Sequence, residues 1–254
     1  AMKTITISNQ KGGVGKTTTA VTLAHGLALC QQHTLLADLD PQGHVAFALG
    51  IEKAPGMYRL IVDEEPIEKV AIPVRDHLDI IPGDKRTEKA KRTVVISNYP
   101  TEILGRLFKQ AEYDVVILDL APSLDVLHVS ALMASDWVII PTKLDAMAVD
   151  GVNEVLRSMS EVVERGHRLG YNILPTFFDR TTNETIVQLE ALVETFKDHV
   201  WPPIPQDTRA REAPAFGKSL WEYCIKSPVI TGYGTGFVAG YASTLNRTLE
   251  VLSE

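Results

Sequence analysis

A glycine-rich loop constrains the fold of this chain more than any other feature of its sequence. An apolar, strand-like segment at 4–8 leads into Lys11-Gly12-Gly13-Val14-Gly15-Lys16-Thr17-Thr18, and a stretch with helical spacing follows. A strand, a glycine-rich loop and a helix start are the context that a phosphate-binding loop requires. The glycines let successive backbone N–H groups face an anion, and the helix N-terminus adds partial positive charge. The loop therefore predicts a site for a phosphate chain.

Three side chains in this loop are of the types that a bound nucleotide needs. Lys16 is expected to neutralise phosphoryl oxygens, and Thr17 supplies a hydroxyl where a magnesium ion bridging the last two phosphates is held. Thr18 is expected to hydrogen-bond an inner phosphate. The alternative is a glycine-rich turn with an incidental lysine, which the strand–loop–helix context disfavours.

Short apolar runs recur along the rest of the chain, with helix-like stretches between them. Runs of Ile, Leu and Val without alternation are typical of strands buried on both faces. They predict strands at 4–8, 34–39, 78–81, 115–120, 137–140 and 173–177, and helices at 17–29, 101–110, 152–165 and 185–199. This alternation predicts an α/β fold, with one doubly wound, mostly parallel sheet and helices on both faces, in a single domain over 1–254. The segment 201–214 is predicted to be a proline-held loop, and 227–240 shows no clear pattern.

Composition narrows the class of protein. The chain has 254 residues, of which 45% are hydrophobic and 22% charged, which excludes the disordered, collagen-like and coiled-coil classes. A formal net charge of -7 argues against a protein that coats nucleic acid. Cys30 and Cys224 are too few for a disulfide framework or a cysteine metal site, so a reducing, cytoplasmic compartment is expected. No apolar run reaches the roughly 18 residues that a membrane helix needs.

Carboxylates follow two of the predicted strands. Asp38 and Asp40 stand two residues apart at the end of the second strand, so both side chains can point to the same side, toward the glycine-rich loop. Without that loop, a strand end capped by Asp before a turn would be the simpler interpretation. Asp119 ends the apolar strand at 115–120, where an aspartate that holds magnesium through a water belongs.

Two features of the loop are unusual. Gln10 stands where the pattern G-x-x-x-x-G-K-S/T has its first glycine, and a second lysine, Lys11, opens the loop. Together with the D-x-D-P-Q-G segment at 38–43, the loop resembles the deviant Walker-A ATPases. These form a P-loop NTPase family that includes ParA-type partition proteins, MinD and the nitrogenase iron protein. The resemblance covers most of the chain, from Lys3 to about Leu220. Ala121 departs from it, since the family usually has two prolines here before the serine.

The resemblance implies a magnesium-dependent ATPase, with ATP and Mg²⁺ as cofactors, and a homodimer that sandwiches two ATP molecules. It implies that Lys11 crosses the dimer interface to the nucleotide of the other subunit. Catalytic candidates are Lys11 and Lys16, together with Asp40, which positions the attacking water, and Asp38, which organises the magnesium shell. The implied magnesium site consists of Thr17, Asp40 and Asp119.

The implied nucleotide contacts fall in two groups. The phosphates would be held by Lys11, Gly12, Gly13, Val14, Gly15, Lys16, Thr17 and Thr18, and the base by the loop of Pro205, Gln206 and Asp207. Asp179 and Arg180 are candidates for the same base pocket by position alone. Ordinary surface loops are the alternative for each of these base contacts, because recognition through backbone groups leaves little side-chain signature.

In ParA-type proteins, basic residues in the region that follows bind DNA without sequence specificity. The resemblance places Arg209, Arg211 and Lys218 in that role, with Lys226 on the same face, although a solvated charged face is an equal alternative for each residue. A second basic group, for DNA or for an acidic partner, lies in 83–92 and comprises Lys85, Arg86, Lys89, Lys91 and Arg92.

The expected function is therefore an ATPase that dimerises around ATP, binds nonspecific DNA of the nucleoid in that state, and partitions a plasmid or chromosome. A ParB-like partner would release it by stimulating hydrolysis. A carboxysome-positioning ATPase of the same type remains an alternative. A MinD-like membrane regulator needs a basic C-terminal amphipathic helix, and 237–254 carries only Arg247 as a base, so no membrane partner is expected. An iron–sulfur reductase needs cysteines in other loops; Cys30 is expected to pack inside.

Overall fold

A seven-stranded sheet, in the order β3-β4-β2-β5-β1-β6-β7, organises the chain. The computed structural model describes residues 2–234 and 236–253. Three residues lie outside the described residues: Ala1, Thr235 and Glu254. All three fall in the predicted domain 1–254, and Thr235 and Glu254 also fall in the C-terminal segments 227–240 and 237–254. The strands are β1 (Lys3–Ile7), β2 (Thr34–Asp38), β3 (Ile72–Arg75), β4 (Leu78–Ile81), β5 (Val115–Asp119), β6 (Trp137–Lys143) and β7 (Gly170–Thr176).

Helices connect these strands, as the alternation predicts. The four predicted helices are found with small shifts at their ends, as α1 (Lys16–Leu29), α6 (Ile103–Phe108), α8 (Ala148–Glu164) and α9 (Asn183–Phe196). The others are α2 (His44–Ala48), α3 (Gly56–Ile61), α4 (Ile67–Val70), α5 (Thr87–Val95), α7 (Val126–Ala134), α10 (Arg209–Glu212), α11 (Leu220–Tyr223), α12 (Pro228–Thr231) and α13 (Gly240–Ser253). No helix within 2–234 and 236–253 combines the length and the apolar character needed to cross a membrane.

The core lies on both faces of the sheet. Ile5 and Ile7 of β1 pack with α1 on one face, whereas Val116 and Leu118 of β5 pack with α5 and α7 on the other. β1 pairs in parallel with both β5 and β6, and β5 also pairs in parallel with β2. Because the strand order reverses direction around β1, the carboxyl ends of β1, β2 and β5 form a crevice, which is where open α/β sheets bind ligands.

Five local features need correction or extension. The antiparallel edge strand β3 was not predicted, because its four residues include Pro73 and are followed at once by a turn into β4. The basic segment 83–92 and the predicted loop 201–214 each contain helix, in α5 and α10. The unpatterned 227–240 contains α12 and leads into α13, whose Tyr241 hydroxyl lies 2.8 Å from the Thr19 hydroxyl of α1. Cys30 was expected to pack inside but is exposed, because it ends α1.

The segment after α9 runs beside the edge strand β7. Trp201 donates its backbone N–H to Ile173 O at 2.9 Å, and Ile204 donates to Pro175 O at 2.8 Å. Just beyond β7, Phe178 donates to Ile204 O at 3.0 Å, and Gln206 donates to Phe178 O at 2.8 Å. This parallel pairing fixes the 201–206 segment to the sheet and carries the chain to the crevice above β1.

Candidate nucleotide site

The glycine-rich loop joins β1 to α1 as an open cradle. Gly13 and Gly15 have φ of 70° and 92°, a left-handed conformation that favours glycine. A Cβ added at Gly12 or Gly13 would meet no heavy atom of the described residues within 4 Å, so space lies open beside the loop. Thr176 fixes the loop by donating its hydroxyl to Val14 O at 2.8 Å. Strand pairing and this hydrogen bond therefore hold the loop so that its N–H groups and the start of α1 face the same open space.

Lys16 lies within this cradle. Its side-chain ammonium donates to the carbonyl oxygen of Lys11 at 2.6 Å, and the residue is buried. Burial lowers the pKa of the Lys16 ammonium, whereas the charges of Asp119 and Asp40 act to raise it. A cation held on a loop carbonyl in this way can exchange that weak acceptor for an anionic ligand.

Thr17 and Asp119 meet beneath the loop. The Thr17 hydroxyl donates to Asp119 Oδ2 at 2.7 Å, while the buried Asp119 Oδ1 has no hydrogen-bond partner within 2–234 and 236–253. Burial raises the pKa of the Asp119 carboxyl to about 7. An unsatisfied buried carboxylate oxygen beside a hydroxyl fits a hydrated magnesium ion, which uses one or two protein oxygens plus waters and phosphates. The residues present thus fit the predicted ion.

Asp38 and Asp40 occupy different environments. Asp38 is fully buried and pairs in register with Asp119 of β5, and its two oxygens accept from the backbone N–H of Asp40 at 3.0 Å and of Val45 at 3.2 Å. Burial, reinforced by the Asp119 charge, raises the pKa of Asp38 well above its ordinary value. Asp40 is partly exposed, and its Oδ1 accepts from Gln42 N at 2.9 Å. Asp38 therefore holds the loop after β2, and Asp40 keeps a carboxylate oxygen for other contacts.

Lys11 forms an ion pair with the turn after β6. Its ammonium lies 3.0 Å from Asp145 Oδ1, in the turn between β6 and α8. Lys11 N donates to Asn9 Oδ1 at 3.0 Å, and Asn9 Nδ2 donates to Pro141 O at 2.9 Å, so the start of the loop is tied to β6. The Lys11–Asp145 ion pair is partly exposed and can be exchanged at low cost.

The predicted base loop does border the phosphate loop. A small cavity of about 60 Å³ is lined by Gly15 and Thr18 of the phosphate loop and by Pro205, Asp207 and Arg211. Gln206 lines an adjoining cavity of about 400 Å³, together with Asp145 and Asp179. Arg180, in contrast, stacks over the Tyr233 ring with its guanidinium carbon 5.0 Å from the ring centroid. Of the two candidates chosen by position, Asp179 therefore lies at this pocket and Arg180 is engaged elsewhere.

Comparisons with known proteins agree with this geometry. Residues 2–171 match the family described as AAA domain. The chain is 36% identical over 240 residues to the chromosome-partitioning ATPase Soj of Thermus thermophilus, an overlap covering 91% of this chain and 92% of that protein. The chain belongs to the Soj/ParA ATPase family. The chromosome-partitioning protein ParA of Myxococcus xanthus is 35% identical over 239 residues, which cover 90% of this chain and 84% of that one.

Solved structures can be superposed on this Soj/ParA-family protein, which compares its fold with theirs. Apo McdA from Cyanothece superposes with a TM-score of 0.85 at 23% identity, covering 99% of this chain and 100% of that chain. Cobyrinic acid a,c-diamide synthase from Mycobacterium smegmatis, solved with an ATP analogue and magnesium, superposes with a TM-score of 0.76 at 26% identity, covering 94% and 99%. The predicted P-loop NTPase fold is thereby confirmed.

The basic residues proposed from the sequence make different contacts in this Soj/ParA-family protein. Arg209 donates to the Ser227 hydroxyl at 2.9 Å, and Arg211 lines the cavity beside Gly15. Lys218 is exposed and borders a different, apolar cavity of about 300 Å³ that Thr17 and Thr18 also line. In the second basic group, Lys91 is not a surface charge: its ammonium lies 2.7 Å from Asp125, and its side chain is only 12% exposed.

Two residues of this pocket were missed in the sequence. Phe177 has a positive φ of 55° directly after β7 and lines both cavities beside the base loop. Lys143 ends β6, and its ammonium lies 5.9 Å from the centroid of the Phe177 ring. Neither residue carries a motif, since each reaches the pocket through strand pairing that joins distant segments. The position of Lys143 three residues after the predicted strand 137–140 was the one available signal.

Proposed function

We propose that this protein is a magnesium-dependent ATPase that dimerises around ATP, binds DNA without sequence specificity in that state, and so partitions or positions a cargo. The observation that carries the nucleotide chemistry is the Thr17–Asp119 pair at 2.7 Å beneath the open loop that holds Lys16. Membership of the Soj/ParA family supports the partitioning role. Cytoplasmic, nucleoid-associated localisation follows from this function.

The nucleotide would lie along the phosphate loop, with its base toward Pro205, Gln206 and Asp207. The related synthase with an ATP analogue and magnesium supports both ligands. Thr17 and Asp119 would hold the magnesium ion, with Asp40 nearby, and the ion would supply charge neutralisation of the phosphates. Thr18, which lies in the cavity lined by the base loop, would contact an inner phosphate.

Hydrolysis would depend on Asp40. Its charge influences the pKa values of both Lys16 and Asp119, so the carboxylate lies close to the reacting region. Asp40 would orient the attacking water by accepting a hydrogen bond from it, while Asp38 holds the loop that carries Asp40. Lys16 would stabilise negative charge that develops on the phosphoryl oxygens.

Dimerisation would use Lys11. In the free chain its ammonium rests on Asp145, at 3.0 Å, beside the cavity that Asp145 and Gln206 share. We infer that a second copy offers a stronger acceptor, the phosphates of its own nucleotide, so that Lys11 exchanges a carboxylate for them. Dimerisation would then depend on ATP because the competing acceptor arrives with the nucleotide.

DNA binding would depend on local charge, since the net charge of the chain is -7. All three candidates are exposed, but Arg209 bonds Ser227 and Arg211 lines the cavity beside Gly15, so Lys218 is the best placed of them, and two copies of it would stand on one dimer. Arg209 and Arg211 would add charge nearby. Binding of this type would be weak for a monomer and sensitive to salt.

The cargo distinguishes the remaining alternatives. A plasmid or chromosome with a ParB-like partner is favoured by the Soj and ParA relatives, while carboxysome positioning is an alternative of the same mechanism. A MinD-like membrane cycle is disfavoured by α13, which buries Tyr241, Thr244 and Leu245 against the body of the protein. The most apolar face of α13 is thus packed against the protein and does not face a membrane.

One titration tests the proposal. Fluorescent duplex DNA is titrated with protein in ATP, ADP or no nucleotide, each with Mg²⁺ and at two salt concentrations, and the oligomeric state is measured by light scattering. We expect a dimer and salt-sensitive DNA binding with ATP alone. Lys16→Ala is the control and should show neither. ATP-dependent binding to anionic liposomes in place of DNA, or DNA binding independent of nucleotide, would contradict the proposal.

A further inference from the structure

One carboxylate, Asp125, makes several contacts with the loop that follows Asp119. This 120–125 loop connects Asp119, at the end of β5, to α7. Asp125 Oδ1 accepts from the backbone N–H of Leu127 at 2.9 Å and of His128 at 3.2 Å, which caps α7. Asp125 Oδ2 accepts from the Ser123 hydroxyl at 2.8 Å. The start of α7 and the middle of the loop are thus joined at one side chain.

A lysine from a distant helix completes this arrangement. The Lys91 ammonium of α5 lies 2.7 Å from Asp125 Oδ2 and 3.3 Å from Glu88 Oε2. The Lys91 side chain is 12% exposed, whereas the Glu88 side chain is 57% exposed, so Asp125 is the sheltered partner. Lys91 therefore brings a positive charge from the α5 surface to the loop beside the proposed magnesium carboxylate.

This ion pair is not needed to dock the two helices. Ala90 and Val94 of α5 already pack with Leu127 and Ala131 of α7 in one apolar cluster. The Lys91–Asp125 pair is partly buried, with 12% and 28% of the two side chains exposed, and such a pair is a poor source of stability because removing charge from water offsets much of the attraction. Its short contact does hold two charged side chains, one on α5 and one in the loop, at a fixed separation. The Lys91–Asp125 pair is accordingly suited to setting where the 120–125 loop lies.

We propose that Lys91 is a positioning residue for Asp119. Acting through Asp125 and Ser123, Lys91 sets the 120–125 loop and thereby the placement of the Asp119 carboxylate against Thr17. The catalytic consequence rests on the proposed ATPase function. The contacts that join Lys91, Asp125 and Ser123 are present in the chain without nucleotide.

Kinetics of three variants test the consequence. Lys91→Met keeps the apolar stem and removes the charge, Lys91→Arg keeps the charge, and Lys89→Met is a matched control on the exposed side of α5. We expect Lys91→Met to lower kcat about ten-fold and to raise the Mg²⁺ concentration for half-maximal rate, as loss of an outer-shell partner does. The KM for ATP should stay near the wild-type value, Lys91→Arg should restore most of kcat, and Lys89→Met should match wild type.

A second variant guards against a simple folding defect. Asp125→Asn still caps α7, since Asn is as good an N-cap as Asp, but it removes the partner charge. If the two residues act as one unit, the double variant with Lys91→Met should lose no more kcat than either single variant. Additive losses in kcat would overturn the proposal.

Hydrogen exchange of the nucleotide-free protein tests, independently of activity, whether Lys91 holds the 120–125 loop in place. Amides of Ser123 and Leu127 should exchange faster in Lys91→Met than in wild type or Lys89→Met. A variant that lowers Tm while leaving kcat, magnesium dependence and these exchange rates at wild-type values would overturn the proposal. If the wild-type chain shows no magnesium-dependent hydrolysis, the proposed function fails, and the exchange rates alone decide whether Lys91 sets the loop.

Discussion

Lys11 and Asp145 form an ion pair, 3.0 Å from ammonium to carboxylate oxygen, that joins the first residue of the phosphate loop to the turn after β6. Burial acts to raise the pKa of Asp145, but the hydrogen bonds from Lys11 and from the Met147 amide outweigh it and lower the pKa, so the carboxylate is charged at neutral pH. If Lys11 must leave this pair to reach a second subunit, the strength of the pair opposes dimer formation.

Asp145→Asn should therefore favour the ATP-bound dimer. A partly exposed ion pair contributes about 0.2–1 kcal/mol and each dimer breaks two of them, so we expect the association constant to rise by up to about 30-fold. Light scattering against protein concentration measures it. Lys11→Ala should abolish ATP-induced dimerisation, and Asp150→Asn, at an exposed acid of α8, is the control. A dimer formed equally well by Lys11→Ala would remove Lys11 from the interface.

Asp40 can be tested by separating its charge from its hydrogen bond. Asp40→Asn keeps an acceptor for Gln42 N, so folding and ATP affinity should be retained, whereas turnover should fall about 100-fold or more. Asp40→Ala should lose turnover and also roughly 1 kcal/mol of stability, because the turn loses its acceptor. Single-turnover hydrolysis and nucleotide titration measure the two effects. Normal hydrolysis by Asp40→Asn would exclude Asp40 from the chemistry.

The different contacts of the basic residues predict separable phenotypes. Lys218→Gln should weaken ATP-state DNA binding and reduce the slope of log affinity against log salt by about 1 for each DNA phosphate that the variant no longer neutralises. Arg211→Gln should instead weaken nucleotide binding, because Arg211 lines the cavity beside Gly15 and Thr18. DNA anisotropy and nucleotide titration on both variants distinguish these effects, with Lys109→Gln, at an exposed lysine outside both basic groups, as the control. Identical profiles for the two variants would contradict the assignment.

His128 predicts a pH dependence of stability. Burial lowers the pKa of His128 to about 4, and its buried Nε2 atom has no partner among the residues that the structure describes. The unfolded chain therefore binds more protons than the folded chain between about pH 6.5 and 4, so stability is complete above this window and is lost as pH falls through it. The loss attributable to His128 is about 3 kcal/mol.

Urea unfolding of the nucleotide-free protein at several pH values measures this loss. His128→Leu removes the titrating group without leaving an unpaired polar atom, so its stability should fall less steeply between pH 6.5 and 4. The exposed His44→Leu is the matched control. Equal pH slopes for His128→Leu and wild type would show that another group causes the loss.

Gly43 predicts a conformational requirement in the loop that carries Asp40. Its φ is 63°, and a Cβ there would overlap the carbonyl oxygen of Gly83. Gly166 has a φ of 88° but open space around its Cβ position, so Gly166→Ala measures the backbone strain alone. Gly43→Ala should be less stable than Gly166→Ala by roughly 2 kcal/mol or more, measured by urea unfolding. Comparable losses would mean that the loop moves away from Gly83 freely.

The predictable parts of this fold are those that a few consecutive residues specify. Gly12 to Thr18 carry their backbone and charge requirements in consecutive residues, and the apolar run before Asp119 identifies both a buried strand and its end. Strand β3 has no such pattern, because an edge strand of four residues needs little apolar surface. The single-domain organisation and the roles of the individual site residues stay predictions.

The pairs that position the site were not predictable. Lys91 and Asp125 are 34 positions apart, and Lys11 and Asp145 are 134 apart, so only the folded sheet and its helices bring them together. In the sequence, Lys91 is one of five cations in a charged stretch, and nothing local distinguishes it from the exposed Lys89. Burial of one charge among several is decided by tertiary packing, which the local pattern does not encode.

The segment that pairs with β7 also limits how copies of this protein can associate. Trp201, Ile204 and Gln206 donate their backbone N–H groups to β7 and the residues just after it, and the positions between them are Pro202, Pro203 and Pro205. Proline has no N–H, so the outer side of this segment lacks the donors that an added strand would need. Edge-to-edge growth of the sheet is blocked here, and self-association is left to surfaces built from side chains and loops.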